Sequence, residues 1–400
     1  MVADMNQTFP DELLARPAGF AEAAAPSLDA APSQAELFAR LRLARSRRIG
    51  PVTYRRLMGE HGTAVAALGA LPAIAAAAGD PGYRPASEAG TRAEIRAARK
   101  AGARLLSLGA PGYPARLAEI ADAPPVLWAQ GDPNLLARPT VAVVGTRNAS
   151  SLALRMARAL GRDLAAAGVA VVSGLARGVD AAAHEAALDG GTVAVHAGGL
   201  DCVYPASNVE LGARIAARGC ALSERAFGHA PQARDFPRRN RIVSGVSQVV
   251  VVVEAAAKSG SMITVRDALD QGREVAAVPG HPFDGRAAGC LLLLRDGATL
   301  IRDAGDVLDL LASLPGASIG PRQTPRPDTP PIEPSPAPDA SGLRARILSL
   351  LSPVPVPEDQ LLRDLAPGGG VAARHLAAHL SEMELSGLVA RRAGGALVRL

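Results

Sequence analysis

Five short valine-rich runs constrain this chain more than any single motif does: Val141 to Val144, Val169 to Val172, Val193 to Val195, Val249 to Val253 and Val275 to Val278. They are continuous rather than alternating, so each strand is buried on both faces. Amphipathic stretches such as Leu154 to Ala167 separate them. Strand and helix in turn predict an α/β domain built on a doubly wound, mostly parallel sheet.

In such a sheet ligands bind beyond the carboxyl ends of the strands, where loops lead into helix N-termini that favour anions. Three junctions fit. Val144 is followed by Gly145, Thr146 and Arg147; Val172 by Ser173, Gly174 and, a few residues on, Arg177; the five-valine strand by Glu254, Lys258, Ser259, Gly260 and Ser261. Each combines a glycine permitting close backbone approach with hydroxyls and a cation. None matches GxGxxG or GxxxxGK[ST], so neither a dinucleotide cradle nor a P-loop is expected.

A fourth element adds charge. Arg238, Arg239 and Arg241 surround the amide of Asn240 within four residues. Guanidiniums so crowded repel one another unless anions lie between them, and each can grip phosphate oxygens through two parallel hydrogen bonds. Residues 140–312 hold 18 basic and 17 acidic side chains, so an anion site here must come from arrangement and not from net field.

The flanks differ in character. Residues 1–34 are rich in alanine and broken by proline, and we expect no fixed structure there. Residues 35–103 read as a SAM-like or helix-hairpin helical domain, with a helix from Gln34 to Arg48 stopped by Ile49-Gly50-Pro51. Residues 35–105 carry 13 basic against five acidic side chains. The sheet domain is expected over 104–312. A proline-rich linker, 313–341, leads to a winged-helix-like domain at 342–400, with three short helices and a hairpin turning at Gly394-Gly395. Arg374, His375, Arg391 and Arg392 could touch DNA, and a protein-docking or merely structural domain fits the same pattern equally well.

Other chemistries find little support. Cys202, Cys220 and Cys290 form no CxxC pair and are expected to be reduced core thiols. His375 and His379 share a helical face without a third ligand, so no metal is expected. Asp180 and His184, four apart, could form an acid/base pair but read more simply as a cap and a structural histidine. Glu254 is the best lone carboxylate. No leader and no membrane-spanning run stands out, which predicts a cytoplasmic protein.

Several of these motifs together resemble the DprA (Smf) DNA-processing proteins of bacterial natural transformation. The resemblance covers residues 104–312 through Gly145-Thr146-Arg147, Ser173 to Asp180 with Ala183-His184, Tyr204-Pro205, Ser223-Glu224, Phe236 to Ile242, Glu254 to Thr264 and Val278-Pro279-Gly280. It implies an extended Rossmann-like domain that binds single-stranded DNA in a basic pocket, forms homodimers and loads the RecA recombinase onto incoming strands. No catalytic reaction, cofactor or metal is implied. By motif match the candidate contacts are Gly145, Thr146, Arg147, Ser173, Gly174, Arg177, Arg239, Asn240, Arg241, Lys258, Ser259, Gly260 and Ser261, with Arg238 beside them; Arg147 and Arg241 stand foremost. Two positions depart from the family pattern. Gly289-Cys290-Leu291 replaces the usual Gly-Thr-Asn, and Leu152 and Leu154 stand where a small residue is common.

Aromatic residues are only 3% of the chain, and near the proposed site just Tyr204, Phe236 and Phe283 could stack a base. Binding should therefore rest on phosphates, with slight sequence preference and steep salt dependence. Arg147→Ala and Arg239→Glu are each expected to weaken binding without unfolding the protein. The rival readings are a nucleotide-cleaving or nucleotide-ligand-binding Rossmann-like enzyme using Glu254 as general base, and a winged-helix transcription factor with a ligand-sensing sheet.

Overall fold

The computed structural model describes residues 32–315, 340–365, 373–392 and 395–400. The alanine-rich opening segment and the proline-rich linker fall almost wholly outside the described residues, as does Gly394 of the expected hairpin turn.

Four helices come first: α1 (Gln34–Ala44), α2 (Pro51–His61), α3 (Ala64–Ala77) and α4 (Glu88–Lys100). Local chemistry sets their ends. Ser33 accepts from the Glu36 amide at the start of α1, and Pro51 occupies the first turn of α2, where a missing N–H costs nothing. The predicted first helix ends early, at Ala44 instead of Arg48; the residues that follow form turns, with Arg48 at a positive φ of 65°. Leu43, Tyr54, Leu57 and Leu71 pack among themselves. Leu41 and Ala98 face the other way and share a core with Trp128, Leu200 and Ala221 of the sheet. The Trp128 indole donates to Glu94 at 2.6 Å.

The sheet domain runs β1 (Arg104–Ser107), α5 (Ala115–Glu119), β2 (Val126–Gly131), β3 (Thr140–Val144), α6 (Ser151–Ala166), β4 (Ala170–Ser173), α7 (Val179–Ala187) and β5 (Thr192–Val195). It continues with α8 (Val209–Arg218), β6 (Cys220–Ser223), α9 (Asp235–Gly245), β7 (Val249–Val252), α10 (Ser261–Asp270), β8 (Glu274–Ala277), α11 (Ala288–Arg295), β9 (Thr299–Leu300) and α12 (Ala304–Ser313). Its order is β1-β2-β6-β5-β4-β3-β7-β8-β9. Strands β6 through β9 in that order are parallel; β2 runs antiparallel to both β6 and β1. Ala142, Val144, Val250 and Val252 pack on one face, and Val141, Val143, Val249 and Val251 on the other. This is the two-sided burial that unbroken valine runs demand. The chain winds outward from β3 in one direction and from β7 in the other, which puts a topological switch point between those two strands.

The C-terminal winged helix consists of α13 (Ala340–Leu350), α14 (Glu358–Leu365), α15 (Ala373–Leu385) and an antiparallel pair, β10 (Val389–Arg391) and β11 (Leu397–Arg399). Ile347, Leu361, Leu376, Leu380 and Leu397 form its core. Leu152 and Leu154 of α6 pack against that core, which gives the two unusual leucines a structural occupation.

Candidate nucleic-acid interface

The junctions after β3, β4 and β5 meet the first turn of α9 in a small pocket. Arg147 and Arg177 are exposed at its mouth, while Arg239 is only 6% exposed and lies at its floor. The Arg239 Nη1 donates to the Val195 carbonyl at 3.1 Å. A Cβ on Gly174 would lie 1.3 Å from that same nitrogen, so any larger residue there would have to displace the guanidinium. Burial draws the Arg239 pKa down to about 10, Asp180 opposes the fall and Arg147 adds to it. The group stays charged at neutral pH. Three cations in one pocket, one of them stripped of water, call for an anion.

The backbone around Gly174 is held in a costly shape. Leu175 is buried with a φ of 56°, in the left-handed region where a branched side chain is strained by about 1–2 kcal/mol. Three hydrogen bonds from two side chains hold it. The Asp180 carboxylate accepts from the Gly174 and Ala176 amides at 3.1 and 3.3 Å, and the Asn208 amide donates to the Leu175 carbonyl at 3.0 Å. Burial raises the Asp180 pKa, and Arg239 is the foremost group working against the rise.

Aromatic surface borders the cations. Tyr204 and Phe236 meet edge to face with centroids 5.3 Å apart, and the Arg147 guanidinium carbon sits 5.1 Å from the Phe236 ring centre. Tyr204 is 54% exposed, enough to offer a face to a ligand. Phe283, the third candidate for stacking, is exposed beside His281 and does not line the pocket.

The β7 junction lies against the β3 junction across the switch point. The Ser261 hydroxyl donates to the Gly145 carbonyl at 2.7 Å and the Thr146 amide to the Glu254 carbonyl at 2.7 Å. Asn240 reaches the Gly260 carbonyl at 3.4 Å, joining α9 to the same turn. Lys258 and Arg238 are exposed; the Ser259 hydroxyl is buried without a partner among the described residues.

Arg147, Gly174, Arg177 and Arg239 therefore share one pocket, with Gly145, Asn240, Gly260 and Ser261 linked in the adjoining turns. Three expectations need correction. Arg241 belongs to a different neighbourhood: its guanidinium pairs with Glu224 at 2.7 Å and Asp122 at 3.3 Å, because it lies two residues from Arg239 on the helix and so faces away. Ser173 is fully buried and spends its hydroxyl on the Val143 carbonyl. Arg239→Glu cannot be a surface-like change, since it would set a second buried carboxylate beside Asp180.

The carboxylates also have other work. Glu254 accepts from the Ser150 amide at 2.9 Å and its hydroxyl at 2.7 Å, closing the N-terminus of α6, and burial raises its pKa. Asp180 serves the amides of the β4 junction, while His184 places its Nδ1 2.7 Å from the Thr192 hydroxyl, so the two do not pair. Among the described residues no group of three His, Cys, Asp or Glu side chains is placed to hold a metal, and no helix is long and apolar enough to cross a membrane. Sequence reasoning took Asp180 for a cap and did not single out Asn208, the other group that shapes the pocket. No local signal could have revealed Asn208, whose partner is 33 residues away.

Comparison with known proteins adds a family context. A family model described as DNA recombination-mediator protein A matches residues 104–312, a DprA-like N-terminal HHH domain matches 34–97, and a DprA winged helix domain matches 330–395. The DNA processing protein DprA of Bacillus subtilis is 40% identical over 220 residues, which span 54% of this chain and 74% of that protein. A putative DNA processing protein DprA of Mycobacterium tuberculosis is 38% identical over 287 residues, 71% of each chain. The X-ray structure of DNA processing protein A from Streptococcus pneumoniae aligns with a TM-score of 0.53 at 39% identity, covering 56% of this chain and 77% of that one.

Proposed function

This chain belongs to the DNA recombination-mediator protein A family, and from that premise we propose that its arginine pocket binds single-stranded DNA by the sugar-phosphate backbone, with little regard to sequence. The observation that carries the reading is the buried Arg239, seated under Gly174 and flanked by the exposed Arg147 and Arg177. A phosphate entering between them exchanges water for charge-assisted hydrogen bonds to a partly desolvated cation. The adjoining faces of Tyr204 and Phe236 suit an unpaired base, since stacking tolerates any base and a duplex keeps its bases to itself. In this reading Lys258, Arg238 and the Ser259-Gly260-Ser261 turn extend the backbone path from the pocket, while Arg241 supports α9 from behind.

Titration of the full chain with single-stranded and duplex oligonucleotides of unrelated sequence, at two salt concentrations, tests the reading. Single strands should bind more tightly, with equal affinity across sequences and a log-log salt slope of about −0.7 per phosphate neutralised. Equal affinity of wild type and an Arg147→Ala, Arg177→Ala double variant would remove the pocket from the account.

Homodimer formation and the loading of RecA are proposed on the family resemblance. Sedimentation of the purified chain and RecA filament assembly on protein-coated strands test them in turn. The nucleotide-cleaving alternative asks Glu254 to act as general base, yet both its oxygens are engaged by Ser150 at the head of α6. Release of free base or sugar phosphate from nucleoside monophosphates would revive it.

A further inference from the structure

The winged helix does not merely follow the sheet domain in the chain; it is bolted to the helix that leaves the β3 junction. The Asp364 side chain, wholly buried, accepts from the Ser151 hydroxyl, from Arg158 at 2.8 Å and from Gln360 of its own helix at 3.0 Å. Leu152 and Leu154, on the turn between Ser151 and Arg158, are half buried against the winged-helix core. A second bolt lies at the β8–α11 loop. Arg286, held by Asp284, donates to the Ser349 and Leu351 carbonyls at 2.5 and 2.9 Å, placing a cation at the negative end of α13.

The Asp364 contacts fall on a helix start that is also tied to the pocket. Ser150 is gripped by Glu254, whose carbonyl accepts from the Thr146 amide beside Arg147, and the next residue, Ser151, is gripped by Asp364. We infer that docking of the winged helix on α6 is coupled to DNA binding in the arginine pocket, the docked domain steadying the Gly145-to-Ser150 turn in its binding shape. The inference rests on the pocket reading above. Its sign follows from preorganisation. Released, the domain would leave Leu152 and Leu154 exposed and the first turn of α6 secured from one side only, so the turn would have to be ordered at the expense of binding energy. By linkage, bound DNA must strengthen docking by the same factor.

The test uses the full chain and changes no residue of the pocket. Arg158→Asp sets two carboxylates against each other and should undock the domain, seen as a larger radius of gyration in solution scattering and faster hydrogen exchange in the first turn of α6. Its affinity for a fluorescein-labelled oligothymidylate should fall by roughly five- to tenfold. Adding Asp364→Arg reverses the pair and should restore both docking and affinity. If undocking leaves oligothymidylate affinity unchanged or raises it, or if Arg158→Asp and Asp364→Arg singly leave the domain docked, the inference is overturned. A wild-type chain that ignores oligothymidylate would instead overturn the pocket reading itself, so the two failures are separable.

Discussion

Gly174 and Arg239 define each other. The guanidinium occupies the space where any other residue's Cβ would stand, so Gly174→Ala must push Arg239 off the pocket floor. Such overpacking costs about 1–3 kcal/mol. Single-strand affinity should fall at least tenfold, read by fluorescence anisotropy, while circular dichroism keeps its native shape. Arg147→Ala acts differently: the residue is exposed, so thermal stability should hold while binding loses about 1.5–3 kcal/mol, the range for a hydrogen bond to a charged group. Arg239→Ala should unfold far more readily than either, because it strands the buried Asp180 carboxylate. Acid sensitivity also belongs at this scale. Burial holds His184 at about 3 and His196 at about 4, with His196 and Arg239 lowering the first further and Arg239 the second. Unfolded, both take protons near 6.5. The unfolded state thus binds more protons between about pH 6.5 and 4, and stability falls as pH falls through that window. Asp267, raised to about 6 mainly by burial, works in the opposite direction. Urea midpoints measured from pH 7 to pH 4.5 should therefore decline less in His196→Gln than in wild type; equal slopes would exclude His196 as a source.

At the scale of elements, the head of α6 carries more than a helix cap. Ser150 accepts from the Ala153 amide, donates to Glu254 and receives the Glu254 carboxylate on its own amide. Ser150→Ala removes the cap, worth about 1 kcal/mol, and leaves a buried carboxylate short of one partner, worth about 1–3 kcal/mol. A loss near the sum is expected in denaturant titration, larger than at the exposed Ser33 cap of α1. Element legibility follows burial. The valine runs were plain because both faces of those strands are covered. β6, Cys220-Ala-Leu-Ser, carries no valine and was invisible, although it is equally buried. β9 has only two residues, too few for any periodicity. The partition of α9 was hidden too. Three arginines in four residues look alike in sequence, yet Arg239 points into the pocket, Arg238 into solvent and Arg241 at Glu224 and Asp122. Helical geometry separates them, and only the packing of α9 says which of them faces the pocket.

For the whole molecule, the junction between the N-terminal helices and the sheet is a shared core. Leu41 and Ala98 cover Trp128, Leu200 and Ala221; Arg45 donates to the Glu224 carbonyl, and Glu94 accepts from Trp128. A fragment of residues 104–312 should accordingly be less stable than 32–312, with a lower urea midpoint and a red-shifted emission from its lone tryptophan. Equal midpoints would mean that the shared core contributes nothing. Chain chemistry alone determined the alternation of strand and helix, the edge where an anion could bind and the abundance of arginine near it, because these depend on residue type and short-range spacing. Tertiary structure decided which arginine is buried, which glycine yields its space, which carboxylates are occupied and where the winged helix rests. Those outcomes depend on groups far apart in the chain, such as Ser151 and Asp364, whose meeting no local pattern encodes.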